Sequence, residues 1–162
     1  MKNETVKKSR PRTISRVAAT QALFQIDQSQ EDPEVVISEF ITFRLKAITD
    51  HSDVEEGGLP PMDVDLFRAI VRQTVKNQET LDVHIEQSLV NGWSLKKIDP
   101  VLRAILRAGG AELMIIDGVP RNVVINEYLD VAKSFFDGRE PAIINAILEH
   151  LDTVLPKSRK NI

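Results

Sequence analysis

Apolar residues recur along most of this chain at spacings of three and four, the period of a helix that buries one face. Ile14, Val17, Ala18, Ala22 and Ile26 mark one side of a first segment that starts near Thr13 or Ser15 and runs to about Ser29. Asp32-Pro33 opens a second, with Val36, Ile37, Phe40, Ile41, Phe43, Leu45 and Ile48. A third starts at Asp63 or Asp65 and strings Leu66, Phe67, Ile70, Val71, Thr74 and Val75 along one stripe. A fourth follows with Leu81, Ile85 and Leu89 and stops at Asn91-Gly92. Asp99-Pro100 begins a fifth, with Asp as N-cap and Pro at the first helical position, where its missing N–H costs nothing. Leu102, Ile105, Leu106, Gly109 and Leu113 share its face, and Asp117-Gly118 and Pro120 end it. Ile125, Tyr128, Leu129, Ala132 and Phe135 pattern a sixth; after the break at Phe136-Asp137-Gly138, Ile144, Ile147, Leu148 and Leu151 pattern a seventh.

No run alternates β-branched residues, so the fold is read as all-α with about seven helices, and no fixed-period repeat suggests a solenoid. Gly109-Gly110 lies inside a helix at a cost of about 1–2 kcal/mol of propensity, which implies that another helix comes close there. Trp93, in the linker after Asn91-Gly92, is expected to pack between two halves of the molecule. The stretch 50–63, with two Gly, two Pro and several acids, reads as a loop. The organisation expected is a basic arm over 1–12, disordered when free, then helical halves over 13–92 and 93–162 that form one compact domain.

Charge changes the picture. The net charge of −3 conceals +5 on residues 1–16, where Lys2, Lys7, Lys8, Arg10, Arg12 and Arg16 face only Glu4; the remainder carries −8. A basic arm on an acidic body concentrates anion binding in one place and leaves the body suited to a basic protein partner. There is no cysteine, hence no disulfide framework and no thiolate site. No apolar run approaches the roughly 18 residues of a membrane span, and the basic start lacks the apolar stretch of a secretory signal, so a cytoplasmic location is expected.

Catalytic chemistry finds little support. His51, His84 and His150 are dispersed without metal-ligand spacing, and no HExxH, CxxC, EF-hand, GxGxxG, Walker A or nucleophile-elbow pattern occurs, so neither metal nor cofactor is expected. The positive signal is the arm. Clustered Lys and Arg gain affinity for phosphates through counterion release, and Arg also forks to phosphate or stacks on a base. Unpaired RNA is further held by stacking bases on aromatic rings, for which Phe24 and Phe135 are candidates, although packing in the core is the commoner role of a phenylalanine. Gln21 is placed either to read a base edge or simply to face solvent.

The order LRAILR, Glu112-Leu113, VP, VVINE, AKSF and IINAIL, with SRVAATQALFQIDQS near the start, resembles the NusB family of bacterial transcription antitermination factors. The resemblance covers most of the chain and implies two packed three-helix bundles without enzymatic activity. It implies binding of boxA RNA from ribosomal RNA leaders together with ribosomal protein NusE, and indirect association with other Nus factors and RNA polymerase. It places Arg12, Arg16, Gln21 and Phe24 at the RNA on the first helix and Lys133 and Phe135 in AKSF, while Lys7, Lys8 and Arg10 only continue the arm. Phe24 stands where relatives often have tyrosine, which keeps stacking and loses a phenolic hydrogen bond. Arg139, in the DGRE turn near the family's partner surface, replaces an acid of some relatives. Asn126 and Glu127 are expected to be structural rather than RNA contacts. Two other readings are an RNA-binding subunit acting in trans with a ribosomal-RNA-modifying enzyme, and a homodimeric helical scaffold.

Overall fold

The computed structural model describes the backbone of residues 2–50, 61–115 and 118–158, and within these the side chains of 11–44, 61–115 and 118–158. Seven helices follow one another: α1 (Lys2–Ser29), α2 (Pro33–Asp50), α3 (Val64–Lys76), α4 (Gln78–Ser88), α5 (Pro100–Leu113), α6 (Arg121–Lys133) and α7 (Glu140–Val154). The described residues contain no strand, only an isolated bridge between Ile115 and Ser158.

The start of α1 falls within the stretch expected as a basic arm. The backbone of the arm is helical from Lys2 rather than irregular, with Pro11 inside the helix. Lys, Glu and Arg before Pro11 are good helix formers, against the roughly 3 kcal/mol that a proline costs in a helix interior. The carbonyl of Pro11 accepts hydrogen bonds from the Ser15 hydroxyl (2.8 Å) and the Asp63 amide (3.2 Å). The Ser15 hydroxyl also lies 2.6 Å from the Asp63 carbonyl, and the Asp63 carboxylate caps α3 through the Leu66 amide at 3.0 Å. One short segment thus starts α3 and fastens it to α1.

The helices α1 and α5 are the axial pair. The first packs on α2, α3, α5 and α6; the second on α1, α3, α4, α6 and α7. Chain order puts α4 with the first half, but in space it leaves α3 at Asn77 and lies on α5 and α7. Buried Ala18, Ala19 and Ala22 of α1, Ile105, Ala108 and Ala111 of α5, and Ile144, Leu148 and Leu151 of α7 belong to one core.

The glycine pair behaves as its cost suggested. A Cβ on Gly109 would lie 2.9 Å from Leu148 Cδ2 and 3.3 Å from Tyr128 Cγ, and one on Gly110 would lie 2.8 Å from Leu81 Cδ2. Three helices therefore close on α5 at those two residues. Asp99 caps α5 as expected, accepting from the Val101 amide at 2.7 Å. Trp93 does not wedge between halves: it is 45 % exposed and lines an open cleft of about 630 Å³ with Leu102, Phe136 and Arg139. Among the described residues no helix is long and apolar enough to cross a membrane. His51 and most of the 50–63 loop lie outside them.

Candidate nucleic-acid interface

The expected RNA residues divide into three groups. Gln21 and Phe24 are exposed on α1, the ring of Phe24 at 36 %. They share a stripe with Val17 and Gln28, because spacings of three, four and seven return to the same side of a helix. Lys133 and Phe135 are exposed at the end of α6, with Phe135 at 38 %. The next residue, Phe136, turns inward against the core, so the paired phenylalanines present one ring to solvent and one to the protein. Among the described residues the ion-pair partner of Lys133 is the exposed Asp130 one turn back, at 3.7 Å, which leaves its ammonium accessible to phosphate. The helix that carries Phe24 packs on the helix that Phe135 follows.

Arg12 forms a second group. It is exposed, but nine residues separate it from Gln21, about two and a half turns, which puts the two on opposite sides of α1. Its side chain lines a cleft of about 290 Å³ with Asp63, Glu112 and Pro120. Lys7, Lys8 and Arg10 continue the same helix, their side chains outside those described.

Arg16 forms the third group. It was expected at the RNA and lies in the interior, 2 % exposed. Its Nε donates to both carboxylate oxygens of Glu112 at 3.0 Å, and its Nη1 lies 3.3 Å from Glu127. The Thr13 hydroxyl donates to the same Glu127 oxygen at 2.9 Å. One guanidinium thus ties α1 to both α5 and α6. Burial opposes its charge, but Glu112, Tyr128 and Glu127 more than offset this and hold it above its ordinary value. Burial pushes the Glu112 carboxyl up against the pull of Arg16, and pushes the fully buried Tyr128 hydroxyl well up, helped by the charge of Glu112. Arg16 Nη2 and Tyr128 Oη have no hydrogen-bond partner among the described residues. The reason for the placement is helical phase. Arg16 is in register with Ala19 and Leu23, so it belongs to the face that packs inward.

Sequence reasoning missed Glu112 as the buried partner, although an acid set among Ala108, Gly109, Ala111 and Leu113 on an apolar helix was the available signal. Glu127 does join helices, as expected; the neighbouring Asn126 is exposed. A second ionic cluster lies further along α1. Asp27 accepts from Arg103 at 2.6 Å and lies 3.4 Å from Arg107, which in turn donates to Asp82 of α4 at 2.8 Å.

Residues 13–153 match the NusB family. The chain is 50 % identical over 145 residues to the transcription antitermination protein NusB of Granulibacter bethesdensis, covering 90 % of this chain and 89 % of that protein. The chain belongs to the NusB family. A further NusB, from Caulobacter vibrioides, is 42 % identical over 86 % of this chain and 90 % of its own. Among solved structures, T. maritima NusB superposes with a TM-score of 0.70 at 26 % identity, covering 89 % of this chain and 92 % of that one. The NusB fold recurs in a crystal structure of the antitermination factors NusB and NusE with dsRNA, at a TM-score of 0.69 and 22 % identity, covering 89 % of this chain and 97 % of that one. Both comparisons agree with the all-α fold of the described residues.

Proposed function

We propose that this chain is an RNA-binding transcription antitermination factor that, with ribosomal protein NusE, binds boxA RNA of ribosomal RNA operons and helps RNA polymerase read through terminators. It works by binding rather than by catalysis, in the cytoplasm, and other Nus factors join through the assembled complex. The observation that carries this reading is the pair of half-exposed rings, Phe24 beside Gln21 on α1 and Phe135 beside Lys133 at the end of α6. A half-exposed ring keeps one face for a base while its other face is held by the protein. The relatives named for antitermination support the same reading. Lys7, Lys8, Arg10 and Arg12 supply the salt-dependent attraction, Arg12 from a different side of α1. The cleft under Trp93, with Leu102, Phe136 and Arg139 on its walls, is the surface assigned to NusE.

The test is a titration of a single-stranded boxA-type RNA at several salt concentrations, with and without NusE. Phe24→Ala and Phe135→Ala are each expected to weaken binding by about 5- to 150-fold, from the 1–3 kcal/mol of one stacked base. Affinity of the parent should fall steeply with salt, and NusE should strengthen it. Binding that is absent or insensitive to salt under both conditions would remove the proposal. A preference for duplex over single-stranded RNA would replace stacking by backbone recognition.

A further inference from the structure

The geometry points to Arg16 as a positioning residue, one that sets the relation of α1 to α6 and so holds the Phe24 and Phe135 rings in register without touching RNA. The inference rests on the RNA-binding reading above and deepens it. Three observations carry it. First, the Arg16 side chain is 2 % exposed, so a phosphate would reach it only if α1 moved away from the core. Second, its donors are committed across helices, Nε to Glu112 of α5 and Nη1 to Glu127 of α6. Third, the Thr13 hydroxyl doubles the link from α1 to Glu127, so the contact acts on α6 specifically, the helix that ends at Lys133 and Phe135.

The arrangement suits registration better than simple adhesion. A planar fork that meets two carboxylates on different helices is satisfied in one relative placement, whereas apolar side chains tolerate sliding. The network also carries one positive charge against two carboxylates. Arg12 is near enough to add attraction on Glu112. A basic residue assigned to phosphate, Arg12, and one assigned to positioning, Arg16, stand four apart on one helix, and residue type alone does not separate them.

Salt dependence separates them. A side chain that neutralises a phosphate adds about one unit to the slope of log affinity against log salt, and a positioning residue adds none. The expected results for the full chain with single-stranded boxA-type RNA are these. Arg12→Gln lowers the slope by about one unit. Arg16→Lys keeps a charge but loses the fork; it weakens binding about tenfold with the parental slope, and lowers hydrogen-exchange protection of the Thr13–Ala18 amides. The double variant Arg16→Met with Glu112→Met removes the charges together and leaves no fork to set the register, so binding stays about tenfold weaker than the parent, again with the parental slope. A folded double variant that loses binding and about one unit of slope would overturn the inference, as would an Arg16→Lys chain that loses affinity with unchanged α1 protection. If the double variant does not fold, the Arg16→Lys pair of readouts decides. Loss of all binding effects at Phe24 and Phe135, with protection of α1 still dependent on Arg16, would sink the RNA reading instead and leave Arg16 as a purely structural lock.

Discussion

Two ionic clusters fasten α1 to the rest of the molecule, and they are built differently. Near its packed start, Arg16 is the one cation among the described residues to pair with buried Glu112 and part-exposed Glu127, which Thr13 also reaches. Near its end, Asp27 meets Arg103 and Arg107, with Asp82 and the Leu95 carbonyl completing a network whose charged side chains are 10–28 % exposed. The first is unbalanced and dry at Arg16 and Glu112, with only Glu127 reaching solvent at 19 % exposure, and leaves Arg16 Nη2 without a partner among the described residues. The second has two cations and two anions and borders an open cleft of about 590 Å³. Ions taken out of water lose hydration that pairing only partly returns, so the dry cluster is a poor source of stability and a strict determinant of geometry. The wetter cluster fastens helices with redundancy, since each of its arginines has more than one acceptor.

The largest effect should come from breaking the dry cluster on one side. Arg16→Met leaves Glu112 buried without its main partner, and the expected loss is about 3–5 kcal/mol in urea unfolding. Adding Glu112→Met should restore most of it, because two apolar side chains of similar volume replace the pair. A single variant that unfolds within about 1 kcal/mol of the parent would mean that water reaches the cluster, and the contrast between the two ends of α1 would fail.

The wetter cluster should yield less. Asp27→Asn removes the charge that Arg103 and Arg107 share but leaves them the Leu95 carbonyl and Asp82, so about 1–2 kcal/mol is expected after allowance for solvent screening. A loss as large as that of Arg16→Met would show that redundancy does not protect this end.

Acid unfolding sharpens the contrast because the two clusters titrate with opposite signs. Burial alone would raise the Asp27 carboxyl, but hydrogen bonds and charge from Arg103 and Arg107 hold it below its ordinary value. Its contribution to stability is therefore present above the unfolded value of about 3.9 and is lost as pH falls through the lower folded value. Glu112 is held above its ordinary value, chiefly by burial. Its contribution is complete below the unfolded value of about 4.3 and declines as pH rises through the raised folded one. Asp27→Asn should flatten the acid limb of stability against pH, and Glu112→Gln should remove the opposing decline above it. Urea midpoints between pH 3 and 7 read both; parental slopes in both variants would refute the assignment.

Much of this was legible in the chain, and the failures share a cause. Helix periods, the Asp99 cap and the reason for Gly109-Gly110 all follow from local pattern, because apolar phase and capping are local physics. Trp93 was misplaced because a linker residue has no phase from which to read burial. Arg16 lies apart from the exposed pair because a cluster along the sequence is not a cluster in space: the helix puts Arg12 and Arg16 on one side, which turns inward at Arg16, and Gln21 on the other. Reading their phase against Ala19 and Leu23, and pairing the inward Arg with the acid stranded on apolar α5, would have found the Arg16–Glu112 contact without coordinates. The third partner, Glu127, depends on how α6 lies on α1, and that is set by the whole core.

The smallest effect separates the clusters by exposure alone. Raising salt from 0.1 to 1 M shortens the screening length from about 10 Å to about 3 Å, which weakens interactions that run partly through solvent. The Asp27 carboxylate is 21 % exposed and its arginine partners 10–11 %, so part of that field crosses water. The penalty of Asp27→Asn should shrink by a few tenths of a kcal/mol over this range. Arg16 and Glu112 are each 2 % exposed and in direct contact, so the penalty of Arg16→Met should not change with salt. Salt also alters apolar burial, but that change is common to parent and variant and cancels in the difference. Equal salt responses at the two ends would mean that depth is not what distinguishes them, and the imbalance of charge around Arg16 would be left to account for its larger penalty.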